Sequence, residues 1–344
     1  MKTRWTEAFG VRYPIVCAPM ALITGGRLAA AVSRAGGLGI VGGGYAGALG
    51  GEPDLNLELA HVQGQKFGVG FITWALARTP RVLDEALIHG PCCVFLSFGD
   101  PRPFSQRILG SGAKLICQVQ SLRHIDDAID AGAAVIVAQG TEAGGHGATR
   151  STLPFVPEAA DYLAKKAPGT LLLAAGGIAD GRGLAAALML GADGVVVGTR
   201  FLASEESLVP TAALNRAARA TGEDTVRTKA IDALRGVLWP EEFSYRVLKN
   251  KLTEQWEHRE ADATAAFGSL AAAYAEARSR QDLDMVAVGA GECVGLIHDR
   301  PSASNIVESM VTEARSLLGR GATLNFADST ANPGVQRTPT SGRR

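Results

Sequence analysis

A histidine enclosed by glycines is the strongest candidate for chemistry in this chain. His146 lies in the run GTEAGGHGATR, residues 140–150, with Gly145 before it and Gly147 after it. An imidazole changes protonation near neutral pH, so it can take or give a proton during a reaction. Glycine tolerates positive φ and lets a ligand approach the main chain closely. We therefore predict that His146 is a functional residue on a ligand-binding loop rather than an ordinary surface histidine.

Two further glycine turns suggest a phosphate site. Gly176 and Gly177 follow the apolar run 171–175, and Gly198 and Thr199 follow the apolar residues 194–197. Backbone N–H groups in such turns can converge on an anion because no Cβ atom is in the way. Tight turns without a ligand are the alternative, and the repetition on two consecutive units favours phosphate binding.

Short apolar runs alternate with helical segments along the first two-thirds of the chain. This alternation is typical of parallel strands joined by right-handed helical crossovers. It predicts an α/β fold, a (β/α)8 TIM barrel with an added helical subdomain inserted after strand eight. An open doubly wound sheet is the alternative. The predicted strands span residues 14–20, 38–41, 67–72, 93–97, 114–119, 134–139, 171–175 and 194–198. The predicted helices between them span residues 24–35 (capped by Thr24), 54–63, 79–89, 103–109, 122–131, 157–166 and 183–190.

The predicted domain organisation follows from a change in the sequence pattern after residue 203, where the alternation of apolar runs and helices gives way to mostly helical segments. Residues 1–203 and 281–321 are predicted to form the barrel, with a helix over 303–318 as its last outer helix. Residues 204–280 are predicted to be a strand-free helical subdomain near the barrel mouth, with helices over 211–220, 243–260 and 262–278. Residues 322–344 are rich in Pro, Ser, Thr and Gly, which predicts a disordered tail.

Composition narrows the class of protein. The 344 residues are 47% hydrophobic and 20% charged, and the formal net charge is zero, which argues against nucleic acid or a membrane as partner. The five cysteines show no CxxC pairing, as expected of core side chains in a reducing compartment. No apolar run has the length of a membrane span, and the first residues do not resemble a signal peptide. We expect a cytoplasmic protein, and a homodimer is compatible with the charge balance.

Four motifs together resemble one enzyme family. The runs PIVCAPM, GGLGIVGGG, QGTEAGGHG and AAGGIADGRGLAAALMLGADGVVVGTRF are similar to those of nitronate monooxygenases, the 2-nitropropane dioxygenase-like family of FMN-dependent barrel enzymes. The resemblance covers residues 10–320. It implies an enzyme that oxidises alkyl nitronates, or nitroalkanes, with O2 to carbonyl compounds and nitrite. The same superfamily includes FMN-dependent NAD(P)H enoyl-thioester and quinone reductases, which is the alternative activity.

The resemblance also assigns site residues. It implies that His146 is the catalytic histidine, the proton acceptor for a neutral nitroalkane. Gly70 stands where many members have asparagine, so only its backbone could contact the flavin, and Gly147 stands where many have arginine, for which Arg150 could substitute. The implied FMN-binding residues are Ala18, Pro19, Met20, Gly70, Gln139, Gly144, Gly145, Gly176, Gly177, Val196, Val197, Gly198 and Thr199.

Other residues have weaker signals. Tyr45, Trp74 and Phe98 follow strands two, three and four and could form the substrate pocket, with ordinary packing as the alternative. Glu142 could orient His146 or its loop. The histidines lack ligand spacing, so we predict no metal site. Two other classes stay open at this point: a flavin-free phosphate-binding lyase or isomerase, and a flavin-binding module without catalysis.

Overall fold

The computed structural model describes residues 1–48, 52–257 and 259–321. Eight parallel strands form a closed barrel, which confirms the predicted fold class. The strands in chain order are β1 (Ile15–Cys17), β2 (Leu38–Gly44), β3 (Phe67–Ile72), β4 (Cys93–Ser97), β5 (Lys114–Val119), β6 (Val135–Gln139), β7 (Gly145–Gly147), β8 (Leu171–Ala175), β9 (Gly194–Val197), β10 (Thr225–Thr228) and β11 (Ser244–Leu248). The barrel contains β1 to β6, β8 and β9, and it closes where β1 pairs with β9.

Both faces of the barrel strands are buried, which explains their unbroken apolar sequence. In β1, Val16 packs into the barrel interior, whereas Ile15 and Cys17 pack against the helices outside. The interior is closed from below by Trp5 and Phe9 of the first helix, whose rings stack at 3.9 Å. Burying one large apolar side chain contributes about 1.5–3 kcal/mol. The interior is therefore a packed core, and ligands have access only at the end opposite this helix.

Helices surround the barrel, and further helices follow its last strand in the chain. The helix Ala303–Gly321 packs against the helices Gly181–Met189 and Gly26–Arg34, as expected of the last outer helix. The helices are α1 (Arg4–Phe9), α2 (Gly26–Arg34), α3 (Leu55–His61), α4 (Thr73–Leu76), α5 (Arg81–Ile88), α6 (Arg102–Gly110), α7 (Leu122–Asp130), α8 (Thr152–Lys166), α9 (Gly181–Met189), α10 (Thr199–Leu202), α11 (Thr211–Ala217), α12 (Ala230–Leu234), α13 (Lys251–Trp256), α14 (Glu260–Ser279) and α15 (Ala303–Gly321).

Two predicted helix starts are wrong. Gly25, not Thr24, is the N-cap of α2, because the Glu58 carboxylate accepts the hydrogen bond from Gly26 N–H (2.7 Å) that a capping side chain would otherwise accept. The Thr24 hydroxyl instead donates to the Ala18 carbonyl. The helix α8 begins five residues before Pro157, since the Glu142 carboxylate accepts hydrogen bonds from the backbone N–H and the hydroxyl of Thr152.

The segment 204–280 is not strand-free as predicted. The strands β10 and β11 pair in antiparallel fashion, and β11 also pairs with β7, the strand that contains His146. The predicted helix over 243–260 is wrong for the same reason: Ser244–Leu248 pairs on both edges, and a new helix starts only after the Asn250 cap. The division into domains stays a prediction.

Two further sequence predictions concern the C-terminal tail and membrane-spanning segments. The predicted disordered tail, 322–344, lies outside the described residues. Within the described part of the chain, none of the helices combines the length and the apolar character needed to cross a membrane.

Candidate active site

A cavity of about 220 Å³ lies at the carboxyl ends of the barrel strands. This is the end of the barrel at which TIM-barrel enzymes have their active sites. Most of the residues predicted from sequence line this single cavity, although they come from seven different strands or strand-end loops. They are Ala18, Pro19, Met20, Tyr45, Gly70, Phe98, Gln139, Gly144, Gly145, His146, Gly176, Gly177, Val196, Gly198 and Thr199.

Two predicted residues are not in the cavity wall. The Val197 side chain is fully buried on the outer face of β9, between the barrel and the helices. The Trp74 indole packs behind the wall, edge-on to Tyr45 and Trp239. The prediction that Trp74 lines the pocket is therefore wrong. Its ring lies outside the cavity wall and packs against two aromatic residues of that wall.

One end of the cavity, formed by the glycine turns after β8 and β9, has free backbone donors. Gly176 and Gly177 have φ values of +105° and +73°, which a residue with a Cβ rarely adopts. Among the described residues, no acceptor lies in hydrogen-bond geometry to the N–H of Gly177, Gly198 or Thr199. Thr199 is buried and the two glycines are half-buried, and backbone N–H groups in such places are usually paired, so three unpaired ones around one cavity favour an anionic ligand there.

The floor of the cavity is held by packing and by a chain of amides. A Cβ at position 70 would lie 2.4 Å from Pro19, so only glycine fits between β3 and the end of β1. Gln139 accepts a hydrogen bond from Gln120 (2.8 Å) and donates one to the carbonyl of His146 (3.0 Å). Gln139 therefore fixes the backbone of the histidine strand, and the second N–H of its amide is left for a ligand.

His146 forms a buried pair with a carboxylate. Its Nε2 lies 2.8 Å from Oδ2 of Asp232, and the two residues are 8% and 4% exposed. Asp232 belongs to α12, in the segment that follows the barrel strands. A carboxylate can only accept, so the proton of the neutral imidazole lies on Nε2 and the lone pair lies on Nδ1. Nδ1 makes no hydrogen bond to any described residue, which leaves it free to accept a proton from a ligand.

Burial lowers the pKa of His146 below its ordinary value of 6.5. The negative charge of Asp232 and its hydrogen bond act in the opposite direction, while the charges of Arg235 and Arg227 add to the lowering. Because the net direction is downward, the imidazole is neutral at physiological pH and can act as a base.

Aromatic rings enclose the imidazole. The ring of Trp239 stacks on it with centroids 3.4 Å apart, and the ring of Tyr245 stacks on it with centroids 4.5 Å apart. Phe98 approaches both His146 and Trp239 edge-on. Phe98 also has φ +64°, which is unusual for a bulky residue and typical of functional positions. These rings leave the imidazole little freedom to rotate and keep bulk water away from it.

A half-buried arginine, Arg227, and a buried one, Arg246, anchor the histidine strand. Arg227 donates to the carbonyls of Thr141, Ala143 and Gly147, and Arg246 donates to the carbonyl of Thr141. Burial lowers the pKa of Arg227 to about 10, at which it still carries its charge at neutral pH. The carbonyls on either side of His146 thus have fixed donors, which makes the strand a rigid support.

Comparison with known proteins identifies the family. The sequence model of the family described as nitronate monooxygenase matches residues 2–64 and 77–313. The chain belongs to the nitronate monooxygenase family. The resemblance inferred from the four motifs is thereby confirmed, and the protein is an oxidoreductase of a family of flavin enzymes that act on small molecules with O2.

Three similar proteins show the range of this family and its neighbours. The nitronate monooxygenase npaC of Metarhizium robertsii is 36% identical over 88% of this chain and 91% of its own. A (3aS,4S,5R,7aS)-5-hydroxy-7a-methyl-1-oxo-octahydro-1H-indene-4-carboxyl-CoA dehydrogenase of Mycobacterium tuberculosis is 33% identical over 75% of this chain and 69% of its own. The solved structure of FabK from Thermotoga maritima is 29% identical and superposes with a TM-score of 0.78 over 94% of this chain and 99% of its own.

Sequence reasoning missed several residues that build the site of this nitronate monooxygenase family member. The four that surround the histidine come from the segment 204–280, and no motif there marks them. The only sequence signal is the placement of polar and aromatic residues after strand eight, where an insert can cover the barrel mouth. They are Asp232, Arg235, Trp239 and Tyr245.

The contacts of Glu142 and Arg150 decide between the roles that the sequence suggested for them. Glu142 orients the loop rather than the imidazole, since its carboxylate accepts from Thr152 and its carbonyl accepts from Glu292 N–H. Arg150 pairs with Glu158 and its guanidinium lies over the ring of Phe155, so it does not reach the cavity.

Proposed function

We propose that this chain oxidises alkyl nitronates with O2 at a bound FMN, and that His146 is its proton acceptor for neutral nitroalkanes. The observation that carries the proposal is the pair of His146 and Asp232 in the wall of a cavity whose other end has unpaired backbone donors. A base at one end and an anion site at the other fit a flavin phosphate and a small acidic substrate.

The cavity residues fit FMN. The unpaired N–H groups of Gly177, Gly198 and Thr199 would hold its phosphate, and the free N–H of Gln139 would bond to its polar edge. A Cβ at Gly145 would meet no atom within 4 Å, so this part of the histidine strand borders open space. When bound, FMN supplies the electron acceptor for the oxidation. The backbone of Ala18, Pro19 and Met20, at the end of β1, would border the ring.

The role of His146 follows from its environment. A neutral nitroalkane is acidic at the carbon beside the nitro group, and Nδ1 carries the lone pair that can accept this proton. The Nε2–H bond to Asp232 stabilises the imidazolium that forms. The stacked rings of Trp239 and Tyr245 hold the imidazole in one plane during the transfer. A nitronate supplied directly has no such proton, so His146 contributes less to its oxidation.

The phosphate assignment predicts a weaker cofactor complex for Gly177→Ala. Alanine at φ +73° costs about 1–2 kcal/mol, and relief of this strain turns the N–H away from the anion. We expect FMN affinity to fall about 5- to 30-fold when the apoprotein is titrated with FMN and flavin fluorescence is followed. Gly169→Ala is the control, because its Cβ would meet no atom within 4 Å and its φ is not positive. Equal affinity in both variants would remove Gly177 from the phosphate site.

A second candidate activity is the reduction of an enoyl thioester or a quinone with NAD(P)H. One specific observation favours it: the similar protein of Mycobacterium tuberculosis is named for a CoA thioester substrate. The aromatic cavity does not discriminate against an apolar acyl chain. Nitronate oxidation has the stronger support, because the family match covers most of the chain.

Visible spectra of the purified protein separate these activities. We would record them anaerobically, first alone, then with propionate-3-nitronate, then with NADPH. Bleaching of a flavin spectrum by the nitronate alone supports nitronate oxidation, whereas bleaching only by NADPH supports the reductase. A flavin spectrum that responds to neither supports a binding module. A colourless protein that takes up no added FMN would refute the cofactor assignment.

The homodimer and the cytoplasmic location stay predictions. Light scattering of the purified protein would test the first.

A further inference from the structure

Arg235 is a charged residue in the cavity wall that is only loosely paired with its neighbours. It follows α12 directly, and its side chain is 16% exposed. Its guanidinium has five N–H donors, and the described residues offer it only the side chain of Tyr45 and the carboxylate of Asp232. The nearest carboxylate oxygen, Oδ1 of Asp232, is 3.8 Å away, beyond hydrogen-bond range. Arg235 lines the cavity, so its remaining N–H donors are available to an acceptor that binds there.

The same carboxylate places Arg235 beside the base. One oxygen of Asp232 contacts His146 and the other faces Arg235, so the imidazole and the guanidinium border the same part of the cavity. The Arg235 guanidinium also lies 5.9 Å from the ring centroid of Tyr45, which limits its orientations. A ligand that accepts hydrogen bonds from Arg235 would therefore have its neighbouring atoms next to His146.

We propose that Arg235 binds the two oxygens of the substrate's nitro or nitronate group. The planar guanidinium presents parallel N–H donors that match two oxygens on one atom, as it does with carboxylates. The carbon attached to that nitrogen then lies beside His146. Arg235 is thus the residue that selects substrates with a planar, two-oxygen anionic group. This inference rests on the proposed function for the identity of the substrate, but the anion site itself does not depend on it.

An anion-binding titration tests the proposed role of Arg235 without measuring turnover. We would titrate the flavin-loaded protein with acetate, a planar anion that it does not oxidise, and with neutral acetamide, and follow flavin absorbance and tryptophan fluorescence. For Arg235→Met we expect acetate affinity to fall at least tenfold, a loss of 1.4 kcal/mol, with little change for acetamide. Arg235→Lys should lose less, since it keeps the charge but not the two-pronged geometry. Arg150→Met is the control, because Arg150 pairs with Glu158 away from the cavity.

Steady-state kinetics then separate the anion site from the activity. Arg235→Met should raise the KM for ethyl nitronate at least tenfold and change kcat less. If KM and acetate affinity both stay within twofold of wild type in Arg235→Met and Arg235→Lys, the assignment of Arg235 is wrong and nitronate oxidation is unaffected. If the wild-type protein binds acetate through Arg235 but oxidises no nitronate, the anion site stands and the proposed function fails.

Discussion

Replacing His146 by alanine should leave FMN bound and lower the turnover of neutral nitroethane by about 10²- to 10⁴-fold, the usual contribution of a positioned base. The lone pair on Nδ1 is lost, and Arg235, which shares the Asp232 carboxylate with His146, cannot accept a proton in its place. Oxidation of preformed ethyl nitronate should fall much less, since the carbon has already lost its proton. Stopped-flow measurement of flavin reduction with both substrates gives the two rates.

A second variant separates chemistry from folding. Alanine leaves the buried carboxylate of Asp232 without its partner, which destabilises a protein by about 3–5 kcal/mol. His146→Asn keeps an N–H donor for Asp232 but has no basic nitrogen, so it should show the same selective loss with a smaller fall in melting temperature. Wild-type rates with neutral nitroethane in His146→Asn would show that another group takes the proton.

Replacing Asp232 by asparagine should have the second largest effect. The amide can donate to the imidazole, which would move the ring proton from Nε2 to Nδ1 and remove the Nδ1 lone pair that we propose as the proton acceptor. Losing a hydrogen bond to a charged group costs about 1.5–3 kcal/mol. We therefore expect kcat/KM for neutral nitroethane to fall about 10- to 100-fold, measured by steady-state oxygen consumption.

The pH profile distinguishes this role from a structural one. His146 is a base in its neutral form, so the rate falls as pH drops through its pKa, which lies below 6.5. The charge of Asp232 raises that pKa, so in Asp232→Asn the pKa should decrease further and the acidic limb of kcat/KM should move to lower pH. Asp84→Asn, an exposed aspartate paired with Arg107, is the control. A reduced rate with an unmoved acidic limb would show that Asp232 supports the fold and does not act on His146.

Local patterns made the barrel predictable. Each barrel strand is a short apolar run, several of the strands end in glycine turns, and each of these features depends on residues close together in the chain. The positions of Gly177 and Gly198 follow, because parallel strands in a barrel end at one rim. The pairing of β7 with β11 could not be predicted, because three residues around His146 have no pattern that distinguishes a strand from a turn.

The sequence by itself determined the eight-stranded barrel and its family, and it predicted the end at which ligands bind and His146 as the catalytic residue. Only the tertiary structure decided what His146 can do. Its partner Asp232 is 86 residues away, and Arg235, Trp239 and Tyr245 lie in the same distant segment. The physical reason is that periodicity and turn chemistry act between neighbours in the chain, whereas the charge, tautomer and access of a buried imidazole depend on the groups that packing brings against it.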